Sequence, residues 1–185
     1  MSRTVAARAL SVLGHPALLM PVAVVLAAAT KNAPLRVLYA AAAATVFVAV
    51  SVVVFSLVQV RAGRWSHVDA SIPQERSQLN HFLASALLWW SGQPRPIFTG
   101  LAVGGALVGF ALVLRSWLKV SLHAAFAVFA ASLSWPSLPA VVLVLFLAAG
   151  VSWSRLVLRR HTPQEVVVGL LAGCVAGLGF NLIAG

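Results

Sequence analysis

The sequence predicts an all-α, polytopic transmembrane helical bundle with six or seven membrane segments. Of its 185 residues, 61% are hydrophobic and only 9% are charged, whereas soluble domains carry about 25% charged residues. The apolar residues form long unbroken runs, and a helix needs about 20 such residues to cross a membrane. A transmembrane β-barrel would instead alternate apolar and polar residues along each strand. Composition and pattern therefore exclude a soluble or disordered class and favour membrane helices.

Seven apolar segments follow one another along the chain, with turn-forming residues between them. They cover about residues 10–30, 35–60, 74–90, 97–114, 121–133, 138–158 and 163–184. The third and fifth segments are short, so six crossings remain an alternative to seven. We expect a single domain, residues 1–185, with two helices in residues 1–60 and a motif-bearing core in residues 61–185.

The basic residues are distributed unequally between the two ends of these segments. The formal net charge is +10, and seven crossings place ten of the 13 basic residues on one side. The other side holds only Lys31, Arg36 and Arg95. The positive-inside rule places the basic side in the cytoplasm. The charge therefore predicts an orientation, with membrane lipids and lipid phosphates as partners rather than nucleic acid.

The acidic residues and most histidines gather on the same basic side. All three carboxylates, Asp69, Glu75 and Glu165, fall there, with four of the five histidines at or near it. Ionisable groups close to membrane depth are costly and are usually functional. Three stretches hold most of them: residues 69–77, 119–123 and 154–165. Together they supply cations, two imidazoles and a carboxylate at helix ends, which can bind and attack a phosphate.

The third stretch resembles the signature of the type 2 phosphatidic acid phosphatases, a superfamily shared with the vanadium haloperoxidases. That signature is Ser-Arg, five residues, His, three residues, then Asp. Ser154, Arg155 and His161 match it in register, and Glu165 stands where Asp is usual. The order of the motifs and their placement at helix starts also fit this family.

The two other signatures of the family are matched in part. Ser121 and His123 match the second signature, Pro-Ser-Gly-His, with Val and Leu in place of its Pro and Gly. Arg76 matches the Arg of the first signature, but Asp69 stands at its Lys position. The resemblance covers about residues 69–185.

The resemblance implies a metal-independent and cofactor-free lipid phosphatase with its active site at helix ends on one membrane face. His161 would attack phosphorus and form a phosphohistidine, while Glu165 holds the other ring nitrogen and His123 protonates the leaving alkoxide. The substrate would be a phosphomonoester or pyrophosphate of a lipid, such as a polyprenyl (di)phosphate or phosphatidate. Four residues would hold the phosphate oxygens: Arg76, Lys119, Ser121 and Arg155.

Alternatives to this interpretation stay open at the level of the sequence. Thr162 and Glu165 also have the spacing of a helix capping box. Asp69 beside a phosphate is unfavourable, so it would pair with a cation instead, and Ser154 has no assigned role. The departures from the first and second signatures fit a catalytically inactive protein of the same fold that binds anionic lipid. A metal site is disfavoured because no His-x-x-x-His or Cys-x-x-Cys pair occurs, and the short loops suit a bacterial cytoplasmic membrane.

Overall fold

A computed structural model of the chain describes residues 2–30, 33–64 and 95–184, and every regular element in these ranges is helical. The first three helices are α1 (Arg3–Leu13), α2 (Pro16–Thr30) and α3 (Leu35–Arg61). The later part contains α4 (Arg95–Val113), a 3-10 turn (Leu114–Ser116), α5 (Leu122–Leu133), α6 (Leu138–Val157) and α7 (Pro163–Ala184). The predicted all-α class is confirmed for the described residues.

Four of the described helices are long and apolar enough to cross a membrane: α3, α4 with its following turn, α6 and α7. The pair α1 and α2 makes a fifth candidate if it is counted as one bent span. Helix α5 has 12 residues and is about 18 Å long, shorter than the roughly 30 Å of a hydrocarbon core. The described residues thus give four or five candidate spans, and the segment predicted at 74–90 lies outside them, so the count of six or seven stays a prediction.

The first predicted segment, residues 10–30, is broken into two helices that meet at an angle of 58°. Gly14 ends α1, and Pro16 begins α2 at a position where its missing N–H costs nothing. The Nδ1 atom of His15 accepts a hydrogen bond from the Ala17 amide at 3.2 Å and caps α2. Residues 1–60 therefore contain three helices rather than the predicted two, because Gly-His-Pro interrupts the apolar run.

Helix α5 is the central helix of the bundle, with nine of its 12 residues buried. Its small residues pack against α2 and α6 in one core cluster, which includes Leu19, Ala127 and Ala148. A second cluster joins α5 to α4 and α7, where the rings of Phe129 and Phe180 meet edge to face at 6.1 Å. Because α5 is enclosed by its neighbours, packing against them fixes the position of its N-terminus.

Three glycines at four-residue spacing, Gly169, Gly173 and Gly177, bring α7 into close contact with α5. A Cβ atom on Gly169 would lie 2.5 Å from a backbone carbonyl oxygen at the start of α5, and Gly173 and Gly177 leave as little space. Such small residues let membrane helices approach each other closely. The glycines face three residues in the same order along the chain: Ser121, Ala125 and Ser132. The two helices therefore run parallel, and both begin at the same end of the bundle.

Replacing Gly173 by alanine is expected to destabilise the protein by about 1–3 kcal/mol, because the new Cβ would collide with the carbonyl oxygen of Ala125. Gly179→Ala on the same helix is the matched control, since a methyl group there would have no other atom within 4 Å. That control should gain up to about 1 kcal/mol from helix propensity. Thermal unfolding in detergent measures both variants. Equal stability of the two would contradict the close contact between α5 and α7.

Candidate active site

The N-termini of α5 and α7 and the C-terminus of α6 meet at one end of the bundle. The Ser121 amide donates a hydrogen bond of 3.1 Å to the carbonyl oxygen of Glu165, which joins the start of α5 to the first turn of α7. Residues 158–162 connect α6 to α7 at this same end. The positive ends of two helix dipoles are thus close together, an arrangement that favours a bound anion.

His161 lies between the two helix starts, and its Nδ1 atom has two oxygen neighbours. Nδ1 lies 3.1 Å from the carbonyl oxygen of Lys119 and 3.1 Å from Oε2 of Glu165. A carbonyl oxygen can only accept a hydrogen bond, so Nδ1 carries the proton. In the neutral ring the lone pair then belongs to Nε2. The neighbours of His161 therefore select the tautomer whose Nε2 can act as a nucleophile or base.

Glu165 both caps α7 and contacts His161. Its Oε2 atom accepts the Thr162 amide at 3.0 Å, and its own amide donates to Thr162 Oγ1 at 3.3 Å. These two bonds form the reciprocal capping box that the sequence indicated. The same Oε2 atom lies within hydrogen-bond distance of His161. The contacts for capping and for orienting the imidazole are therefore both present.

The surroundings of His161 keep its imidazole neutral. Burial lowers the pKa of His161 below its ordinary value of 6.5, and the positive charges of Arg155 and, more weakly, Lys119 lower the pKa further. The hydrogen bond to Glu165 and its negative charge oppose this shift without reversing it. At neutral pH the ring is therefore mainly in the neutral form, which is the form that can attack an electrophile.

An open cleft of about 420 Å³ adjoins His161 at this end of the bundle. Three cationic residues, Lys119, Arg159 and Arg160, line the cleft together with His161. The full lining comprises Lys119, Leu156, Arg159, Arg160, His161, Thr162, Pro163 and Glu165. A cleft with this charge can accept a phosphate group beside the Nδ1-protonated imidazole.

The turn that ends α6 places two arginines on the cleft. Arg159 has a φ of 51°, in the left-handed region that usually holds glycine at a helix end. The Arg160 amide donates to the carbonyl oxygen of Arg155 at 3.0 Å and closes the turn. A non-glycine residue in this conformation costs roughly 1–2 kcal/mol. The position of both arginines at the cleft suits binding to an anionic headgroup.

Arg155 and Ser154 occupy the last turn of α6 and differ in what they contact. Arg155 is 7% exposed, and its Nη1 atom donates a hydrogen bond of 2.9 Å to Ser11 Oγ of α1. Its charge reaches His161, whose pKa it lowers. Ser154 is fully buried, and its hydroxyl donates to the Val151 carbonyl oxygen at 2.6 Å. This hydrogen bond within α6 therefore satisfies the buried hydroxyl of Ser154.

Ser121 and His123, which match the second signature, lie at the start of α5 and are not among the residues that line the cleft. His123 is 9% exposed, and its ring meets the ring of His15 edge to face, with centroids 5.1 Å apart. Ser121 is fully buried, and its amide already donates to Glu165. That amide is thus engaged, and the role of Ser121 as a phosphate ligand stays a prediction.

Lys119 precedes α5. The helix begins at Leu122, and Lys119 belongs to the non-helical residues before it. Its carbonyl oxygen holds His161 and its side chain lines the cleft. The other two predicted residues, Arg76 and Asp69, lie outside the described residues. In the described ranges, no group of three His, Cys, Asp or Glu side chains could hold a metal ion.

Sequence reasoning missed two residues that contact this site, Ser11 and His15. Ser11 lies in the last turn of α1 and His15 lies in the break before α2. The sequence interpretation treated both as part of one continuous segment. The Gly14-His15-Pro16 tripeptide was the available signal, because glycine and proline together are typical of a chain break.

Comparison of the chain with protein-family models, curated proteins and solved structures found no match. The resemblance to the type 2 phosphatidic acid phosphatases therefore rests on the spacing of the signature residues quoted above. Fold and site together define an apolar, all-helical protein with a histidine–carboxylate pair beside a cationic cleft.

Proposed function

We propose that this protein is an integral-membrane lipid phosphatase that acts through a phosphohistidine at His161 and needs no metal. One observation supports this proposal most directly. The Nδ1 proton of His161 is held by the Lys119 carbonyl and Glu165, which leaves Nε2 as the nucleophilic atom beside a cationic cleft. Activation of a nucleophile by a third, orienting group is the general pattern of covalent catalysis.

The reaction divides into two steps that use the same residues. In the first, the Nε2 lone pair of His161 attacks phosphorus, and the bond from phosphorus to the leaving oxygen breaks. By the family resemblance, His123 gives a proton to that oxygen. In the second step a water molecule attacks the phosphohistidine, His123 takes a proton from it, and His161 returns to its starting form. Glu165 stabilises the positive charge that the His161 ring gains in the first step and loses in the second.

The cations explain how a doubly charged phosphate can approach. Arg155 and Lys119 lie near enough to His161 to lower its pKa, and the same charges neutralise the phosphate oxygens of the bound substrate as well as those of the transition state. Arg76 is proposed for the same role from the family resemblance. Arg159 and Arg160 add charge at the rim, where a second phosphate of a pyrophosphate headgroup would lie.

A lipid substrate fits the apolar exterior of the bundle. Large apolar side chains along the outer face of α7, including Val167, Leu171 and Leu178, are exposed. In a membrane this surface contacts acyl or prenyl chains, so the lipid tail stays in the bilayer while its headgroup enters the cleft. Polyprenyl phosphates, polyprenyl diphosphates and phosphatidate all meet these requirements.

The proposal is tested by phosphate release from a panel of these lipids, using purified protein with a chelator present. We expect turnover of at least one lipid phosphate that the chelator does not abolish. Binding of anionic lipids without any phosphate release would instead identify a catalytically inactive protein of the same fold. Turnover that is lost with chelator and restored by a divalent ion would contradict the metal-independent mechanism.

We further propose a bacterial cytoplasmic membrane, with the N-terminus and the cleft on the cytoplasmic face. Basic residues support this orientation even after Arg76, Lys119 and Arg155 are set aside as phosphate ligands, since seven remain against three. In a Cys174→Ser background, an impermeant maleimide applied to intact cells should label Asn32→Cys but not Ala62→Cys. Ala62 is preferred over Gly63, whose φ of 69° would strain a cysteine. Labelling of Ala62→Cys from outside would reverse the orientation.

A further inference from the structure

The last turn of α1 and the break before α2, residues 11–15, contact two of the residues to which the proposed mechanism gives roles. Ser11, near the end of α1, accepts a hydrogen bond of 2.9 Å from Nη1 of Arg155. His15, just before α2, places its ring edge to face with the ring of His123, at a centroid distance of 5.1 Å and an interplanar angle of 85°. One short stretch of the N-terminal region thus reaches both a phosphate ligand and the proton donor.

The backbone of this break is fixed by its own contacts with α6. Gly14 lies so close to Val151 that a side chain at position 14 would collide with it. One turn earlier in α1, Leu10 packs onto Gly150 of α6. A methyl group on Gly150 would lie 3.4 Å from the side chain of Leu10. These contacts hold the break against the C-terminal half of α6, the helix that carries Arg155.

The ring of His15 is fixed from the other side by its hydrogen bond to α2. Nδ1 accepts the Ala17 amide at 3.2 Å, so this nitrogen is unprotonated and the ring cannot turn without breaking the cap of α2. An imidazole held in this way presents a constant edge or face to its neighbour. Aromatic rings in such edge-to-face contact restrict one another's orientation.

We propose that the last turn of α1 and the break before α2 together form a positioning element of the active site, in which His15 orients the ring of His123 and Ser11 orients the guanidinium of Arg155. The inference rests on the proposed phosphatase function. His15 and Ser11 act through other residues, so the two are positioning residues rather than catalytic ones. Misorientation of His123 affects proton transfer and hence kcat, whereas misorientation of Arg155 affects phosphate binding and hence KM.

Two substitutions of His15 separate the cap of α2 from the ring contact with His123. His15→Asn keeps a capping oxygen for the Ala17 amide, because asparagine is a favoured N-cap residue, but it removes the ring. His15→Phe keeps a ring for His123 but removes the cap. We expect His15→Asn to unfold at the same temperature as the unsubstituted protein while kcat falls at least about tenfold at unchanged KM. We expect His15→Phe to unfold at a lower temperature and to retain kcat within about threefold.

Ser11 is tested by removing and then restoring its hydroxyl. Ser11→Ala should raise KM about tenfold with little change in kcat, since hydrogen bonds to charged groups are among the stronger ones in proteins. Ser11→Thr keeps a hydroxyl and should restore KM. Ser116→Ala, an exposed serine in the 3-10 turn, is the matched control and should leave both constants unchanged.

The outcomes distinguish this inference from the proposed function on which it rests. Full kcat in His15→Asn, or equal loss of kcat in His15→Asn and His15→Phe, overturns the role of His15. Unchanged KM in Ser11→Ala overturns the role of Ser11. Absence of phosphate release by the unsubstituted protein overturns the proposed function instead. NMR of histidine-labelled protein reports on the ring contact independently of turnover: the His123 ring signals should shift in His15→Asn much more than in Ser116→Ala, and an unshifted His123 signal overturns the contact.

Discussion

His161→Ala is expected to abolish phosphate release, lowering kcat by more than about 10⁴-fold. Alanine removes the atom that forms the bond to phosphorus, and no other described side chain offers an imidazole nitrogen at the cleft lining. Binding of the lipid phosphate should survive, because the cations at the rim remain. The measurement is phosphate release under saturating substrate, together with binding of the lipid measured separately.

A second substitution at this position shows whether lost activity reflects lost structure. The side chain of His161 is 5% exposed, and its Nδ1 contacts the Lys119 carbonyl that precedes α5. His161→Asn retains an N–H donor for that carbonyl but has no nucleophilic nitrogen. Both variants should be inactive, and the asparagine variant should unfold near the temperature of the unsubstituted protein. Turnover near the normal rate in the folded alanine variant would contradict a nucleophilic role for His161.

Glu165→Gln is expected to lower kcat by more than about 10²-fold while leaving the fold intact. The amide oxygen of glutamine can still accept the Thr162 amide and complete the capping box. What glutamine lacks is the negative charge that stabilises the imidazolium formed during attack. Loss of a tautomer-fixing carboxylate costs about 10⁴-fold in a serine protease. Here the Lys119 carbonyl still fixes the tautomer, so the expected loss is smaller.

The pH profile gives an independent check on Glu165. Activity requires neutral His161, so kcat/KM should fall as pH drops through the pKa of His161, which burial and Arg155 place below 6.5. The hydrogen bond and charge of Glu165 raise that pKa, so Glu165→Gln should move this acidic limb to still lower pH. Glu165→Ala removes the cap as well and should also lower the unfolding temperature. A glutamine variant with near-normal kcat and an unmoved limb would leave capping as the only role of Glu165.

Long apolar runs predicted the main helices well because burial in lipid or protein demands continuous apolar sequence. The ends of α6 and α7 fall within one residue of the predicted segments, and Thr162 and Glu165 form the predicted capping box. Glu165 also contacts Nδ1 of His161, four positions earlier in the chain, as the resemblance implied. Such features are local, so sequence spacing alone determines them.

Features that depend on contacts between segments far apart in the chain could not be predicted from the spacing of residues. The glycines at positions 169, 173 and 177 matter because of what α5 places opposite them, and the sequence interpretation assigned them no role. The hydrogen bond from the Ser121 amide to the Glu165 carbonyl oxygen also depends on the parallel packing of α5 and α7. The contacts of Ser11 and His15 with the site likewise join residues more than 100 positions apart in the chain.

Trapping the covalent intermediate tests the central claim most directly. Purified protein is mixed with a lipid substrate labelled in the transferred phosphate, quenched within the first turnovers and analysed for labelled residues. We expect the label on His161, in a linkage that acid cleaves and alkali leaves intact, and we expect no label in His161→Ala or His161→Asn. Label on another residue, or turnover of the substrate by the alanine variant without any labelled intermediate, would contradict the phosphohistidine mechanism.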